Sequence, residues 1–165
     1  MQDYQKTYKE RNEDRVNLAE IKAREYYQKK GLNVTRFGFD EKNEPIPSKY
    51  FHLIPKQVRN MPEYLLIGKK CWLLEAKGCR DVLRIKLDDL EGYKFWDKIC
   101  PVAIFAYSFK YNCCYIFTYR KLVELLECDG MATKAKYHDN NKEHYIIELK
   151  ELSLIGICDE IHSTN

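Results

Sequence analysis

The chain has 165 residues, 45% of them hydrophobic, and carries a formal net charge of only +3. That length supports one domain with a sizeable core, and the charge excludes a polycation that holds its partner by bulk electrostatics alone. No apolar run approaches the ~20 residues of a membrane-spanning helix, and the charged start has no signal or transit pattern, so we expect an intracellular protein with no membrane partner. Seven glycines leave no room for a dinucleotide fingerprint.

In chain order, residues 1 to 11 are polar and read as an arm or a helix extension. Residues 12 to 30 predict a helix with Val16, Ala19, Ala23, Tyr26 and Tyr27 as its apolar stripe and Gly31 as its C-cap. Glu20 falls in or beside that stripe, where an unpaired carboxylate costs several kcal/mol. It either reaches solvent at the edge or points at something positive. Leu32 to Phe39 predicts a strand. The connection from Asp40 to Met61 contains Pro45, Pro47 and Pro55 and is longer than an ordinary hairpin loop. Its Lys49, Tyr50, Phe51, His52, Lys56 and Arg59 admit two readings. The aromatics could stack on unpaired bases at a nucleic-acid entrance, or Tyr50, Phe51, Leu53 and Ile54 could cap one end of the core, which is the commoner fate of aromatics.

The chemistry concentrates next. Pro62-Glu63-Tyr64-Leu65-Leu66-Ile67 leads through Gly68-Lys69-Lys70 into Cys71-Trp72-Leu73-Leu74-Glu75-Ala76-Lys77. As a hairpin with a three-residue connection, Ile67 pairs with Cys71, and counting back in step puts Glu63 opposite Glu75. Opposed carboxylates on a sheet repel unless a cation lies between them. Lys77, two residues beyond Glu75, projects from the same face. The site is a candidate metal centre with a positive group beside it. An acid, any residue and a lysine arise by chance about three times in such a chain. Glu20-Ile21-Lys22, Asp40-Glu41-Lys42 and Glu148-Leu149-Lys150 are further cases. Only Glu75-Ala76-Lys77 has an acidic strand residue as hairpin partner.

Lys69, Lys70, Lys77, Arg80, Arg84 and Lys86 fall within eighteen residues. They form a candidate phosphate-binding patch, with Arg80 first because it directly follows the site; the competing reading is a solvated charged face. Leu87 to Ile99 predicts a second helix with Leu90, Tyr93, Trp96 and Ile99 buried, ended by Pro101. Val102 to Tyr107 and Cys113 to Thr118 predict apolar strands, Arg120 to Glu127 a short helix, and His144 to Leu149 a last strand. The seven cysteines contain no CxxC pair and read as reduced, mostly buried thiols. The four histidines show no ligand grouping.

A helix carrying Glu20, a strand, Pro62-Glu63 opening a hairpin and then Glu75-Ala76-Lys77 together resemble the PD-(D/E)XK nuclease superfamily, in particular Holliday-junction-resolvase-like and phage or VRR-type nucleases. The resemblance covers roughly residues 12 to 127 of one domain spanning 1 to 165, with 128 to 165 as an extension. It implies an α/β fold of restriction-endonuclease type, an αβββαβ core in three layers around a central mixed sheet. It implies Mg²⁺, with Mn²⁺ able to substitute, held by Glu63, Glu75 and the Ala76 carbonyl. Lys77 would then position the attacking water, with Glu20 assisting. Its expected activity is hydrolysis of phosphodiesters in duplex or branched DNA, by a chain that in this family often forms a homodimer. Where the family usually has Asp, this chain has Glu63, one methylene longer. The alternative is a nuclease-fold protein, catalytically weak or inactive, that binds nucleic acid or a protein partner. A third reading is an interaction protein in which the hairpin acids are ordinary surface residues.

Overall fold

The computed structural model describes residues 8–39, 46–138 and 140–161, without the side chains of 8–17 and Ser48. Arm residues 1–7, the Val16 side chain, Pro45, the Asp40-Glu41-Lys42 triplet and His162 lie outside that description.

The first helix, α1, runs Tyr8–Lys29. It ends in a left-handed Gly31 (φ 78°), where Gly31 N–H bonds to Gln28 O and Leu32 N–H reaches back to Tyr27 O at 3.1 Å. Those two bonds are a Schellman motif, which satisfies carbonyls that the helix end would orphan and favours glycine at that position. The chain then turns directly into β1, Asn33–Arg36. Two single-turn helices follow, α2 (Ser48–Phe51) and α3 (Lys56–Arg59), each starting after a proline, Pro47 and Pro55.

The predicted hairpin forms in the predicted register. Strands β2 (Tyr64–Ile67) and β3 (Cys71–Cys79) pair antiparallel with Ile67 opposite Cys71 and Tyr64 opposite Leu74. The turn closes with Gly68 N–H on Lys70 O at 3.1 Å. One step beyond Tyr64, the same register sets Glu63 across from Glu75. Glu63 is held there by its own carbonyl, which accepts from the Phe37 and Gly38 amides at 2.9 and 3.1 Å.

Beyond the hairpin come β4 (Val82–Lys86), α4 (Leu87–Trp96), β5 (Val102–Ser108), β6 (Cys113–Thr118) and α5 (Tyr119–Glu127). The chain finishes with β7 (Ala132–Lys136), β8 (Glu143–Glu148), α6 (Leu149–Ile155) and β9 (Ile157–Glu160). The main sheet has six strands in the order β1-β2-β3-β5-β6-β9, and β4-β8-β7 form a second, three-stranded sheet. The main sheet is mixed: β3 and β5 run parallel, with Glu75 beside Ile104 and Lys77 beside Ala106, and its other pairs are antiparallel. The β3-to-β5 crossover carries β4 and α4, since a parallel connection needs a long return.

Strand alternation divides the core between the two faces of the sheet. Leu74, Ala76 and Phe105 pack with Ala19 and Ala23 of α1, whereas Leu73, Ile104 and Phe117 pack with Tyr93, Leu122 and the second-sheet residues Leu83, Ile85 and Ile147. The architecture is therefore three layers, with α1 on one face and α4, α5, α6 and the second sheet on the other. Glu75 and Lys77 share the parity of Leu73, so they face α4.

Several expectations need correction. The second helix stops at Trp96, capped by Asp97, whose carboxylate accepts the Val102 amide at 3.0 Å. Ile99 thereby leaves the helical stripe and is 65% exposed. Tyr50, Phe51 and Leu53 do not cap the core: they are 49%, 40% and 69% exposed. Glu148 closes β8, but Leu149 and Lys150 open α6, so that triplet is no strand motif. Cys71, Cys128 and Cys158 are exposed and Cys100 is partly so, which leaves Cys79, Cys113 and Cys114 as the buried thiols. No described helix is long and apolar enough to cross a membrane.

The path into Glu63 is clamped onto α4. Asn60 Nδ2 donates to Asp88 O and Trp96 Nε1 donates to Gln57 O, both at 2.9 Å. A Cβ on Gly92 would lie 2.4 Å from Asn60 O, a backbone atom that has to move to admit it. Gly92→Ala is expected to destabilise by about 1–3 kcal/mol through overpacking, despite alanine's ~1 kcal/mol better helix propensity. Thermal unfolding checks this; a midpoint unchanged or raised would show that the Asn60 backbone yields freely.

Candidate active site

The hairpin and α4 bring Glu63, Glu75 and Lys77 together, as the register requires. Lys77 Nζ lies 2.7 Å from Glu75 Oε1 and 3.0 Å from Asp89 Oδ2 on the first turn of α4. Glu63 Oε2 accepts the Ala76 backbone N–H at 3.3 Å. A strand residue's N–H and C=O leave along the same edge, so the Ala76 carbonyl faces the Glu63 side as well. The Tyr93 hydroxyl is buried facing Glu75 without completing a hydrogen bond.

Glu20 approaches from the other face of the sheet, around the end of β2. Arg36 Nη1 donates to its carboxylate at 2.7 Å and the Tyr64 hydroxyl donates at 3.3 Å, while the Arg36 guanidinium also lies over the Tyr64 ring. The positive group that Glu20 meets is therefore Arg36. Its charge is nevertheless felt by Glu63.

Burial, then the charges of Glu75 and Glu20, push the Glu63 carboxyl well above its ordinary value, and Lys77 and Arg36 offset this only in part. Burial also raises Glu75, with Lys77 working against the rise. Burial lowers the Lys77 ammonium, but Glu75, Tyr93 and Asp89 outweigh it and hold the group well above its usual range. Lys77 is thus a firmly charged cation and Glu63 a carboxylate short of positive charge. Four carboxylates, Glu20, Glu63, Glu75 and Asp89, face two cations, Arg36 and Lys77.

Among the described residues no group of three or more His, Cys, Asp or Glu side chains is arranged to hold a metal ion. Glu63, Glu75 and the Ala76 carbonyl are a smaller set, two carboxylates and a backbone oxygen. Hard oxygen donors with negative charge in excess suit magnesium or manganese rather than softer metals.

The basic residues do not form one patch. Arg80 directly follows β3 and is exposed, 3.5 Å from Asp81. Arg84 and Lys86 alternate with the core residues Leu83 and Ile85 and therefore project from the outer face of β4. Lys69 and Lys70 sit in the hairpin turn, five residues along β3 from Glu75, roughly 17 Å away at the strand rise. Asp89 and Arg36 carry no site signal in the sequence, and Tyr93 reads there only as a buried residue of the second helix. An acidic pair opening a helix reads first as a response to the helix dipole. Only packing of α4 on β3 turns Asp89 towards Lys77.

The solved structure of Archaeoglobus fulgidus Hjc, a Holliday junction resolvase from an archaeal hyperthermophile, is similar to this chain with a TM-score of 0.54. The match spans 86% of this chain and 89% of that one, at 11% sequence identity. This chain has a restriction-endonuclease-like mixed α/β fold. At that identity the likeness carries the fold alone. No family model and no curated protein matches the sequence. The restriction-endonuclease-like core of Hjc thus recurs here with β4, β7 and β8 as a separate sheet packed beside α4.

Proposed function

We propose that this chain is a divalent-metal-dependent nuclease that hydrolyses phosphodiester bonds in DNA. The observation that carries the reading is the convergence of Glu63 and Glu75 across the hairpin, with Lys77 2.7 Å from Glu75, in a nuclease fold. Glu63, Glu75 and the Ala76 carbonyl would hold Mg²⁺, or Mn²⁺ in its place. Bound there, the ion supplies Lewis acidity at the phosphoryl oxygen and lowers the pKa of a water.

The side chains have distinct tasks. Lys77, kept charged by Glu75 and Asp89, orients the attacking water and offsets negative charge gathering on the phosphoryl group. Asp89 fixes the lysine from α4, and the buried Tyr93 hydroxyl limits where Glu75 can swing. Glu20, oriented by Arg36 and Tyr64, adds negative charge on the far side of Glu63. Arg80 lies nearest along the chain for a phosphate contact, with Arg84, Lys86, Lys69 and Lys70 as outer contacts. The reading takes residues 1 to 165 as one nuclease domain, with a homodimer as the assembly for cutting two strands.

Resolution of Holliday junctions by Hjc puts branched DNA first among substrates to try. The test is cleavage of labelled linear, flapped and four-way-junction DNA with Mg²⁺, Mn²⁺ or EDTA. Cutting that requires the metal and favours one shape is expected. DNA bound but never cut would replace the reading with a nuclease-fold binding module. DNA neither cut nor bound would remove the nucleic-acid reading.

A further inference from the structure

The connection between β1 and β2 exposes what a packed core would hide. Tyr50 and Phe51, on α2, are 49% and 40% exposed, and Leu53 beside them is 69% exposed. Each ring carries a cation: Lys49 Nζ stands 4.8 Å from the Tyr50 centroid and the Arg59 guanidinium 5.6 Å from that of Phe51. Neither cation forms an ion pair among the described residues, in contrast to Lys56 on the same segment, which binds both Asp88 and Glu91. Among the described residues, Arg59 Nε is buried with no hydrogen-bond partner. The segment is tied to α4 at Gln57 and Asn60 and enters the candidate site four residues after Arg59.

We propose that this α2–α3 segment is a binding surface for unpaired nucleotides, whose bases stack on Tyr50 and Phe51 while Lys49 and Arg59 take the adjoining phosphates. It rests on the nucleic-acid part of the reading above and not on catalysis. Flat rings joined to unpaired cations match the alternation of base and phosphate along a single strand. A base in a duplex is paired and stacked already, so the rings distinguish open strands, flaps and branch points from continuous duplex. A second copy of this chain fits less well, because a two-fold contact at this patch would set Lys49 and Arg59 against their own equivalents.

The test is fluorescence anisotropy in EDTA with a labelled oligothymidylate and a blunt duplex, comparing the native protein with Tyr50→Ala/Phe51→Ala and Tyr50→Phe. Both rings are exposed, so the double variant is expected to fold normally, with its thermal midpoint as the control. Its affinity for oligothymidylate should fall about tenfold per ring lost, with less than about a twofold change for duplex. Tyr50→Phe, which keeps the ring, should retain native affinity. Unchanged oligothymidylate binding, or equal losses on both DNAs, would overturn the proposal. Loss of self-association in sedimentation without loss of binding would assign the surface to a second copy instead. A native protein that cuts duplex but does not bind oligothymidylate would refute this inference and leave the nuclease reading standing. Oligothymidylate binding lost with the rings, in a protein that cuts nothing, would do the reverse.

Discussion

Lys77→Met should abolish metal-dependent cleavage, with a rate loss of roughly 10²–10⁴-fold, the range for removing a positioned group from the transition state. Methionine keeps most of the length and the apolar stem of the side chain and removes the charge and its N–H donors. The substitution also strands Glu75, which is buried and has Lys77 as its ion-pair partner. A buried carboxylate that loses its counter-charge costs about 3–5 kcal/mol, so lost activity could merely reflect lost structure. The double variant Lys77→Met/Glu75→Gln separates the two: it restores much of the stability, because the buried Glu75 charge goes with its partner and only the part-exposed Asp89 loses its cation, and it restores none of the activity. Single-turnover cleavage beside thermal melts reads both quantities. If the double variant cuts at the native rate, the hairpin is not the catalytic centre.

The second large effect lies at Glu63. Its folded-state pKa is raised, by burial first and by Glu75 and Glu20 next. Between the ordinary carboxylate value and that raised value, the native state holds more protons than the unfolded state. Stability contributed by this group is therefore complete below about pH 4.5 and is lost as pH rises through the folded value. Without added metal, the protein should become less stable as pH climbs through that window. Glu63→Gln should flatten the slope and stabilise the protein at neutral pH by about 1–3 kcal/mol, several degrees in Tm for a chain of this size. Mg²⁺ or Mn²⁺ favours the ionised carboxylate, so it should stabilise the native protein increasingly with pH and leave Glu63→Gln unmoved. Thermal melts across pH, with and without metal, check both parts. An equal metal shift in native protein and variant would exclude Glu63 as a ligand.

Much of this site could be read from the chain because hairpins are local. A three-residue connection and a two-residue period are enough to set Glu63 opposite Glu75 and Lys77 on the face of Glu75. The Schellman end of α1 was equally legible, from Gly31 alone. Strand β4 is legible as well, since Leu83-Arg84-Ile85-Lys86 alternates apolar and basic residues, although the same basic residues also fit a charged patch. Strands β7 and β9 gave weaker signals. Ala132–Lys136 and Ile157–Glu160 are short, polar and at sheet edges, where the neighbour supplies most of the pattern.

The connection from β1 to β2 shows where composition misleads. Tyr50, Phe51 and Leu53 have the residue types of a core cap, yet among the described residues nothing packs over them enough to bury them. Hydrophobicity records what burial would gain and says nothing about whether a surface lies within reach.

What the sequence alone determined was the pairing of the carboxylates, the lysine beside them and the α/β order of elements, all set by spacings of a few residues. Which partners complete the site was decided only by tertiary structure. Asp89 meets Lys77 because the crossover lays α4 against β3, and Glu20 finds Arg36 because α1 lies on the opposite face. Those contacts join residues 12 and 16 positions apart in sequence. They form where helix meets sheet, and no local period encodes that meeting.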